Sequence, residues 1–355
     1  MAVCLRTAVR SRRSGKGSRI RPGIWVAILG VAVSATWQPA GASTPNWAKA
    51  APTNTPAARA FGQMATDPVT GQTVYFGGWD GAQDQKQTWL WVGSNWVLQH
   101  PAASPAAREL GGFAYDPATK ETLLFGGFSA RANRPLGDSW SWSGTNWLKV
   151  APKRKPSPRF GMGIAYDAAT KQLLMFGGQT NLSTTFSGLN DTWQWTGATW
   201  KLLKPTTKPP ARSYFALGYD ASSQQLVLFG GSGTSGALAD TWTWSGTNWV
   251  QQHPTLSPSA RYADATSFDP IAGQLVVFGG TATTGSFPQP VFSDTWAWGG
   301  TNWAKLAPTT TPPGRAFHAV AFDSSSSKLL LFGGVGSIIN RFGDGPELGD
   351  TWTYS

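Results

Sequence analysis

Three side chains of this sequence could transfer protons and do not belong to its repeated pattern. They are the imidazole of His318 and the carboxylates of Asp264 and Glu109. An imidazole beside a carboxylate in a cleft can act as a general acid or base. The carboxylate would also raise the pKa of the histidine, because a negative charge favours the imidazolium. These three residues are the candidate catalytic groups, and the alternative is a water-filled channel lined by scattered polar side chains.

The positions of these residues are related through a recurring arginine. Asp264 and His318 each come three residues after it, in the fifth and sixth of six repeated units, whereas Glu109 and Tyr262 come one residue after it. Residues two apart on a strand share a face. We therefore expect all four side chains to face one channel mouth, with Asp264 and His318 close enough to meet directly or through a water.

The repeated unit contains an apolar run closed by Phe-Gly-Gly, and it returns every 49 to 54 residues. A period near 50 residues indicates a repeat architecture. Each unit predicts four strands: a first strand typically ending in Tyr-Asp or Phe-Asp, the Phe-Gly-Gly strand, a Trp-x-Trp strand, and a last strand that opens with Trp. The glycine pairs are Gly77/Gly78, Gly126/Gly127, Gly177/Gly178, Gly230/Gly231, Gly279/Gly280 and Gly333/Gly334.

This pattern resembles the kelch repeat over about residues 46 to 355. The resemblance rests on the double glycines, the Trp pairs and six arginines, Arg59, Arg108, Arg159, Arg212, Arg261 and Arg315. It implies an all-β, six-bladed kelch-type β-propeller. The chain is similar to the central propeller of galactose oxidase, whose copper site needs a cysteine cross-linked to a tyrosine. Here Cys4, the single cysteine, precedes the repeats, so we expect an exported, bacterial-type kelch protein without that copper site.

The two ends of the chain predict how the ring closes. Residues 46–52 match the fourth strand of a unit without the first three, and residues 350–355 match a third strand without a fourth. We therefore expect the N-terminal strand to complete the last blade, which removes free sheet edges.

The repeated charged residues are expected to be structural. The aspartates that close the first strands can hydrogen-bond the turn backbone, and those before the third strands receive the same interpretation. The first unit has Gln87 in place of the latter. We expect the six arginines to tie the blades together at one face, with a ring of anion-binding arginines as the alternative.

Residues 1–42 predict an export signal. A basic segment precedes an apolar stretch at 24–35, and small residues precede Ser43. The apolar stretch is shorter than the roughly 20 residues of a membrane-spanning helix; an uncleaved anchor is the alternative. We expect residues 43–355 to form the propeller, secreted or in the cell envelope, with no other membrane contact.

The net charge of +11 does not indicate a nucleic-acid partner. Seven basic residues precede residue 24, and beyond it 22 basic residues face 18 acidic ones. The repeats contain no cysteine and their histidines are dispersed, so we expect no cofactor and no tightly bound transition metal.

The loops between second and third strands emerge at one face, and the longest, 281–293 and 335–349, belong to the fifth and sixth units. Loops on a rigid scaffold often carry binding sites. The candidate binding residues are Trp79, Asp80, Tyr262, Asp264, Phe287, His318, Arg341, Phe342 and Asp344.

These features favour a monomeric binding or interaction module that recognises a protein or a glycan through this loop face. The alternative is a cofactor-free sugar mutarotase or isomerase acting at the channel mouth. A binding module should tolerate the loss of His318, whereas an enzyme should lose turnover in His318→Ala while staying folded.

Overall fold

Six four-stranded antiparallel sheets make up the computed structural model, which describes residues 45–182, 186–282, 286–340 and 343–355. The first strands of consecutive sheets contact one another, and the last contacts the first, so the sheets surround a central channel. The described residues contain no helix. The expected all-β, six-bladed propeller is therefore confirmed. The expected export signal lies outside the described residues.

The strands of the six four-stranded sheets have three to five residues each. The chain begins with β1 (Trp47–Lys49). The first blade contains β2 (Gln63–Asp67), β3 (Gln72–Phe76), β4 (Thr88–Val92) and β5 (Asn95–Gln99). The second contains β6 (Gly112–Asp116), β7 (Glu121–Phe125), the loop hairpin of β8 (Phe128–Ser129) and β9 (Arg134–Pro135), β10 (Ser139–Trp142) and β11 (Trp147–Val150). The third contains β12 (Gly163–Asp167), β13 (Gln172–Phe176), β14 (Thr192–Trp195) and β15 (Trp200–Leu203).

The remaining blades repeat this order. The fourth contains β16 (Ala216–Asp220), β17 (Gln225–Phe229), the loop hairpin of β18 (Ser232–Gly233) and β19 (Gly236–Ala237), β20 (Thr241–Trp244) and β21 (Trp249–Gln252). The fifth contains β22 (Ala265–Asp269), β23 (Gln274–Phe278), β24 (Thr295–Trp298) and β25 (Trp303–Leu306). The sixth contains β26 (Ala319–Asp323), β27 (Lys328–Phe332) and β28 (Thr351–Tyr354).

The N-terminal strand completes the sixth blade, as the two chain ends predict. Strand β1 pairs antiparallel with β28, with Trp47 opposite Tyr354 and Lys49 opposite Trp352. The Trp47 indole N–H also donates to Thr295 Oγ1 of the fifth blade, at 3.0 Å. The edge of β28 is therefore covered, and the closure joins two blades through a side chain as well as through the backbone.

The apolar runs of the second strands do not alternate with polar residues, because both faces of these strands pack against neighbouring blades. In β17, Leu226 and Leu228 pack with the third blade, whereas Val227 and Phe229 pack with the fifth. All four are at most 1% exposed. A strand that is buried on both faces is apolar along its whole length. The hydrophobic core therefore consists of layers between adjacent blades.

The repeated arginines bind within their own blade through the guanidinium, which corrects the expectation that this group joins blades. Arg108 donates to both carboxylate oxygens of Asp138, at 2.7 and 2.9 Å, and to the Gly126 carbonyl. The backbone of the arginine makes the connection between blades. For example, the Gly127 N–H donates to the Arg159 carbonyl at 2.9 Å.

The aspartates before the third strands are partners of these arginines, and not turn residues as the sequence predicts. Burial alone would raise the pKa of Asp138, but hydrogen bonds and charge from Arg108 and a hydrogen bond from Trp140 lower it to about 2. The aspartates at the ends of the first strands do bind the turn backbone as expected. The Asp67 carboxylate, for instance, accepts from the Val69 N–H at 2.8 Å.

Candidate functional site

A closed ring of backbone hydrogen bonds crosses the channel near its loop-face end. Each member comes two residues after a repeated arginine, and its N–H donates to the carbonyl of the member in the preceding blade at 2.8 or 2.9 Å. All six have positive φ, between 55° and 64°. This peptide ring consists of Phe61, Leu110, Gly161, Tyr214, Ala263 and Phe317.

The peptide ring separates residues that the sequence predicts to share a face. A residue at positive φ interrupts the two-residue alternation of an extended strand. Glu109 and Tyr262, before the ring, therefore lie on the loop face, and the Tyr262 hydroxyl donates to Gln289 Oε1 at 2.9 Å. Asp264 and His318, after the ring, line the channel beneath it. The expected shared channel mouth is thus wrong.

An apolar cluster covers the peptide ring on its loop side. The Phe61 and Phe317 ring centroids lie 4.5 Å apart, and Tyr214 packs edge-on against Phe317 at 5.4 Å. Ile338, from the long loop of the sixth blade, joins this cluster and is 1% exposed. The Gln289 N–H donates to the Ile338 carbonyl at 2.7 Å, so the two longest loops meet above the ring. The loop face and the channel are consequently separate surfaces.

Beneath the ring the channel consists of consecutive cavities that share lining residues. Two upper cavities, of about 130 and 210 Å³, are both lined by Gln63, Met162, Phe215, Asp264 and His318, and together they form the inner chamber. A wider cavity of about 410 Å³ follows towards the opposite end, the turn face, where first and second strands are joined. This vestibule is lined by aromatic residues at the ends of the first strands, Tyr115, Tyr166, Tyr219, Phe268 and Phe322.

Three polar side chains of adjacent blades project into the inner chamber. Gln63, Asp264 and His318 are 7%, 9% and 6% exposed. Gln63 Oε1, both Asp264 carboxylate oxygens and both His318 ring nitrogens have no hydrogen-bond partner among the described residues. Buried polar atoms are normally satisfied by protein, water or a ligand, so these five atoms mark the chamber as a place for a polar occupant.

The pKa values of the chamber residues differ from the sequence expectation. Burial first and then the nearby Arg315 charge lower the pKa of His318 to about 3, so the imidazole is neutral. Burial raises the pKa of Asp264 to about 7. The two side chains, both within the described residues, form no ion pair or hydrogen bond with each other. Without that contact, desolvation dominates, and the expected rise in the histidine pKa is wrong.

The loop face carries a second group of polar side chains around Glu109. This half-buried carboxyl has a pKa raised to about 8, first by burial and then by the charges of Asp84 and Asp344. The nearby Tyr214 hydroxyl accepts from Gln179 Nε2 at 2.7 Å. The Tyr214–Gln179 pair thus lies near a carboxyl that is largely protonated near neutral pH, and the Tyr214 ring is 6.4 Å from that of Tyr262.

The other predicted binding residues are distributed over the loops. Trp79 is half-buried against the apolar cluster, and Phe287 is 47% exposed. Asp80 accepts from the Ala82 and Gln83 N–H groups at 3.0 and 2.9 Å, and so organises its own loop. Asp344 accepts from Asn340 Nδ2 at 2.9 Å. Arg341 and Phe342 lie outside the described residues.

The sequence interpretation missed four polar or aromatic residues of these two groups, Gln63, Gln179, Tyr214 and Gln289. A signal exists for Gln63, because the corresponding residues of the other units are glycine or alanine. Gln179 directly follows a glycine pair, where loop residues are expected to vary. Tyr214 occupies a ring position that other units fill with apolar residues or glycine.

The described part of the chain shows neither a metal-binding cluster nor a membrane-spanning helix. Those residues contain no cluster of three or more His, Cys, Asp or Glu side chains arranged to hold a metal ion. No helix long and apolar enough to cross a membrane occurs within the same ranges.

Comparison with known proteins places the chain by its fold. No family model matches it, and no curated protein matches its sequence. Many solved structures are similar, with 446 matching chains, so the fold is shared too widely to indicate one activity. One is the structure of YjhT, at a TM-score of 0.65 and 13% identity over 84% of this chain and 96% of that chain. At this low identity the likeness shows the fold alone, and the fold is that of a six-bladed β-propeller.

Proposed function

We propose that this chain is an exported, kelch-type binding module that recognises a glycan through its loop face. The observation that carries the proposal is the pair of phenol–amide contacts, Tyr214 with Gln179 and Tyr262 with Gln289. The two phenol rings lie 6.4 Å apart, and the Glu109 carboxyl is near Tyr214. The kelch-like repeat pattern and the signal-like residues 1–42 support the family and the export.

A saccharide fits the chemistry of these groups. Its hydroxyls need both donors and acceptors, which side-chain amides and phenols supply together. Its apolar C–H faces pack on aromatic rings, and Trp79, Tyr214 and Tyr262 provide such rings while still half-buried. The apolar cluster beneath them closes the channel, so a ligand here would lie across the loop face. Rigid placement of these groups by six blades reduces the ordering cost of binding.

The test is binding of the purified protein to an array of defined mono- and oligosaccharides, followed by calorimetry on the saccharides retained. Tyr262→Phe removes one hydroxyl, and Gln179→Leu removes an amide; each should weaken binding by about 5- to 20-fold, the effect of roughly one hydrogen bond. Tyr166→Phe is the matched control, because it removes a phenol hydroxyl at the turn face. Retention of no saccharide, or equal weakening by the control, would refute a glycan site on the loop face.

A sugar mutarotase or isomerase is the second candidate, and the raised pKa of Glu109 favours it. Opening a sugar hemiacetal breaks the bond between the anomeric carbon and the ring oxygen. In this candidate Glu109 donates a proton to the ring oxygen, and a water molecule takes the proton of the anomeric hydroxyl and returns one to Glu109. A carboxyl with a pKa of about 8 is a proton donor near neutral pH. In this candidate Glu109 replaces His318 as the acid, because His318 lies beneath the peptide ring.

The enzyme is distinguished from the binding module by anomer interconversion, followed by NMR on saccharides that the protein binds. An enzyme should lose about 10²- to 10⁴-fold of its rate in Glu109→Gln, the usual range for general acid catalysis. Binding without acceleration over the buffer rate would leave the binding module as the function.

A further inference from the structure

We propose that the inner chamber, lined by Gln63, Asp264 and His318, binds a small primary ammonium ion that enters from the turn face. This site is distinct from the proposed glycan site, because the peptide ring and its apolar cluster lie between them. The proposal concerns a second ligand and does not depend on the function of the loop face.

The chamber is rich in hydrogen-bond acceptors. Gln63 Nε2 is already used, since it donates to the Phe61 carbonyl. Among the described residues its Oε1 has no hydrogen-bond partner, and neither do the two carboxylate oxygens of Asp264. His318 is neutral and therefore offers one ring nitrogen as an acceptor. Three blades thus present acceptors to one space, and an alkylammonium head group with three N–H donors matches them.

Charge favours a cation over a neutral donor. Asp264 lies in a cavity where its carboxylate lacks a bound counter-charge, and its pKa of about 7 reflects that desolvation. The positive charges of Arg261 and Arg315 act on Asp264 and His318 respectively. Each is held in a bidentate pair by an aspartate, Asp294 or Asp350, which largely offsets its charge. A buried cation would therefore find one uncompensated carboxylate.

The route into the chamber is also suited to a cation. The vestibule presents five aromatic rings, which attract cations through their faces. The turns between first and second strands surround its mouth, and they carry seven carboxylates against three lysines. The mouth is therefore negative on balance, and an excess of one charge raises the local concentration of the opposite charge. The charged residues of these turns are Asp67, Asp116, Lys120, Glu121, Asp167, Lys171, Asp220, Asp269, Asp323 and Lys328.

The rest of the chamber lining limits the size and nature of the ligand. Met162 and Phe215 supply its apolar wall, and Gly62 and Gly111 line it with backbone alone. The two cavities, of about 130 and 210 Å³, have room for an ammonium group with a short chain. The ligand class is therefore a primary ammonium with a short apolar substituent.

The test uses ethylammonium chloride with the intact protein, followed by calorimetry and by NMR of the histidine rings at pH 7.5. Ethanol is the neutral isostere, and tetramethylammonium carries the charge without N–H donors. We expect saturable binding of ethylammonium, at least about tenfold weaker binding of either comparison compound, and a shift of the His318 ring resonances.

Two variants locate the binding. Asp264→Asn keeps the shape and removes the charge, so it should weaken ethylammonium binding by at least about tenfold. Glu347→Gln removes a carboxylate from the long loop of the sixth blade, on the opposite side of the peptide ring, and should leave the affinity within about twofold. Should Asp264→Asn fail to fold, Gln63→Leu tests a second acceptor, and the His318 resonances of the unaltered protein test the position directly.

The outcomes are decisive in both directions. Equal binding of ethanol and ethylammonium, unchanged affinity in Asp264→Asn, or His318 resonances unmoved at saturation would each overturn the proposal. Complete displacement by equimolar potassium chloride would assign the chamber to inorganic cations and overturn the ammonium. Loss of glycan binding in Tyr262→Phe with ammonium binding retained would show that the two sites are independent.

Discussion

The first blade offers a test of how the arginines stabilise the propeller, because its arginine forms no ion pair with a carboxylate of the described residues. Arg59 is 2% exposed, and its guanidinium donates to Gln87 Oε1 at 3.0 Å. The other five arginines, all within the described residues, form ion pairs with an aspartate at 2.6 to 2.7 Å. We predict that Gln87→Asp stabilises the protein by restoring the missing pair.

The magnitude follows from the equivalent aspartate of the second blade. Asp138 has a folded pKa of about 2 against an ordinary 3.8, and each unit corresponds to about 1.4 kcal/mol. The pair therefore contributes roughly 2 kcal/mol at neutral pH, and its side chain, 27% exposed, is only partly screened by solvent. Gln87 already accepts one hydrogen bond from Arg59, so we expect a net gain of about 1 to 2 kcal/mol.

The measurement is urea unfolding of the parent and of Gln87→Asp at pH 7 and at pH 2.5. A carboxyl whose folded pKa is lowered contributes stability above its unfolded pKa, and that contribution disappears as the pH falls through the folded value. The gain should therefore be present at pH 7 and smaller at pH 2.5. Gln87→Asn, which has the size of the aspartate without its charge, is the control for the change of side chain at this position. No gain at pH 7, or an equal gain in the control, would refute the assignment of stability to the pair.

Three further predictions concern ring closure, the chamber and metals. Trp47→Ala should cost about 3 to 5 kcal/mol in thermal or urea unfolding, because Trp47 is 1% exposed and joins the fifth and sixth blades; a variant that unfolds like the parent would contradict the closure. Burial raises the pKa of Asp264 to about 7, so the folded protein favours the protonated side chain. The resulting contribution to stability is fully present below about pH 4 and is lost as the pH rises to about 7. Asp264→Asn should therefore gain most over the parent at pH 8 and least at pH 4, as measured by urea unfolding. Elemental analysis of the purified protein should find copper and zinc far below one ion per chain, and near-stoichiometric metal would contradict this.

The fold could be predicted from the sequence because its determinants repeat. Six units with one spacing define the blades, and the unmatched half-units at the ends define the closure. The pairing of Arg108 with Asp138 could not be predicted in the same way. The two residues are 30 apart, and the pattern of strands does not specify which side chains meet at the end of a sheet.

The candidate site could be predicted only in part, because the peptide ring has no clear sequence signal. Of its six residues, Gly161 alone is of the type that favours positive φ, and Phe61, Tyr214 and Phe317 are bulky. The expectation that Glu109 shares a face with His318 assumed an unbroken strand. Asp264 and His318 were still found as unusual residues, because the equivalent positions in other units are apolar or glycine.

The peptide ring explains how one small fold can hold two independent surfaces. Positive φ at a non-glycine residue costs about 1 to 3 kcal/mol. Here the cost is offset by six closed hydrogen bonds and by the burial of Phe61 and Phe317, which are 4% and 8% exposed. Because the backbone makes the ring, its side chains can change without altering the channel beneath. Substitutions at Leu110 or Tyr214 should therefore alter ligand recognition at the loop face, while the acceptors of the inner chamber keep their positions.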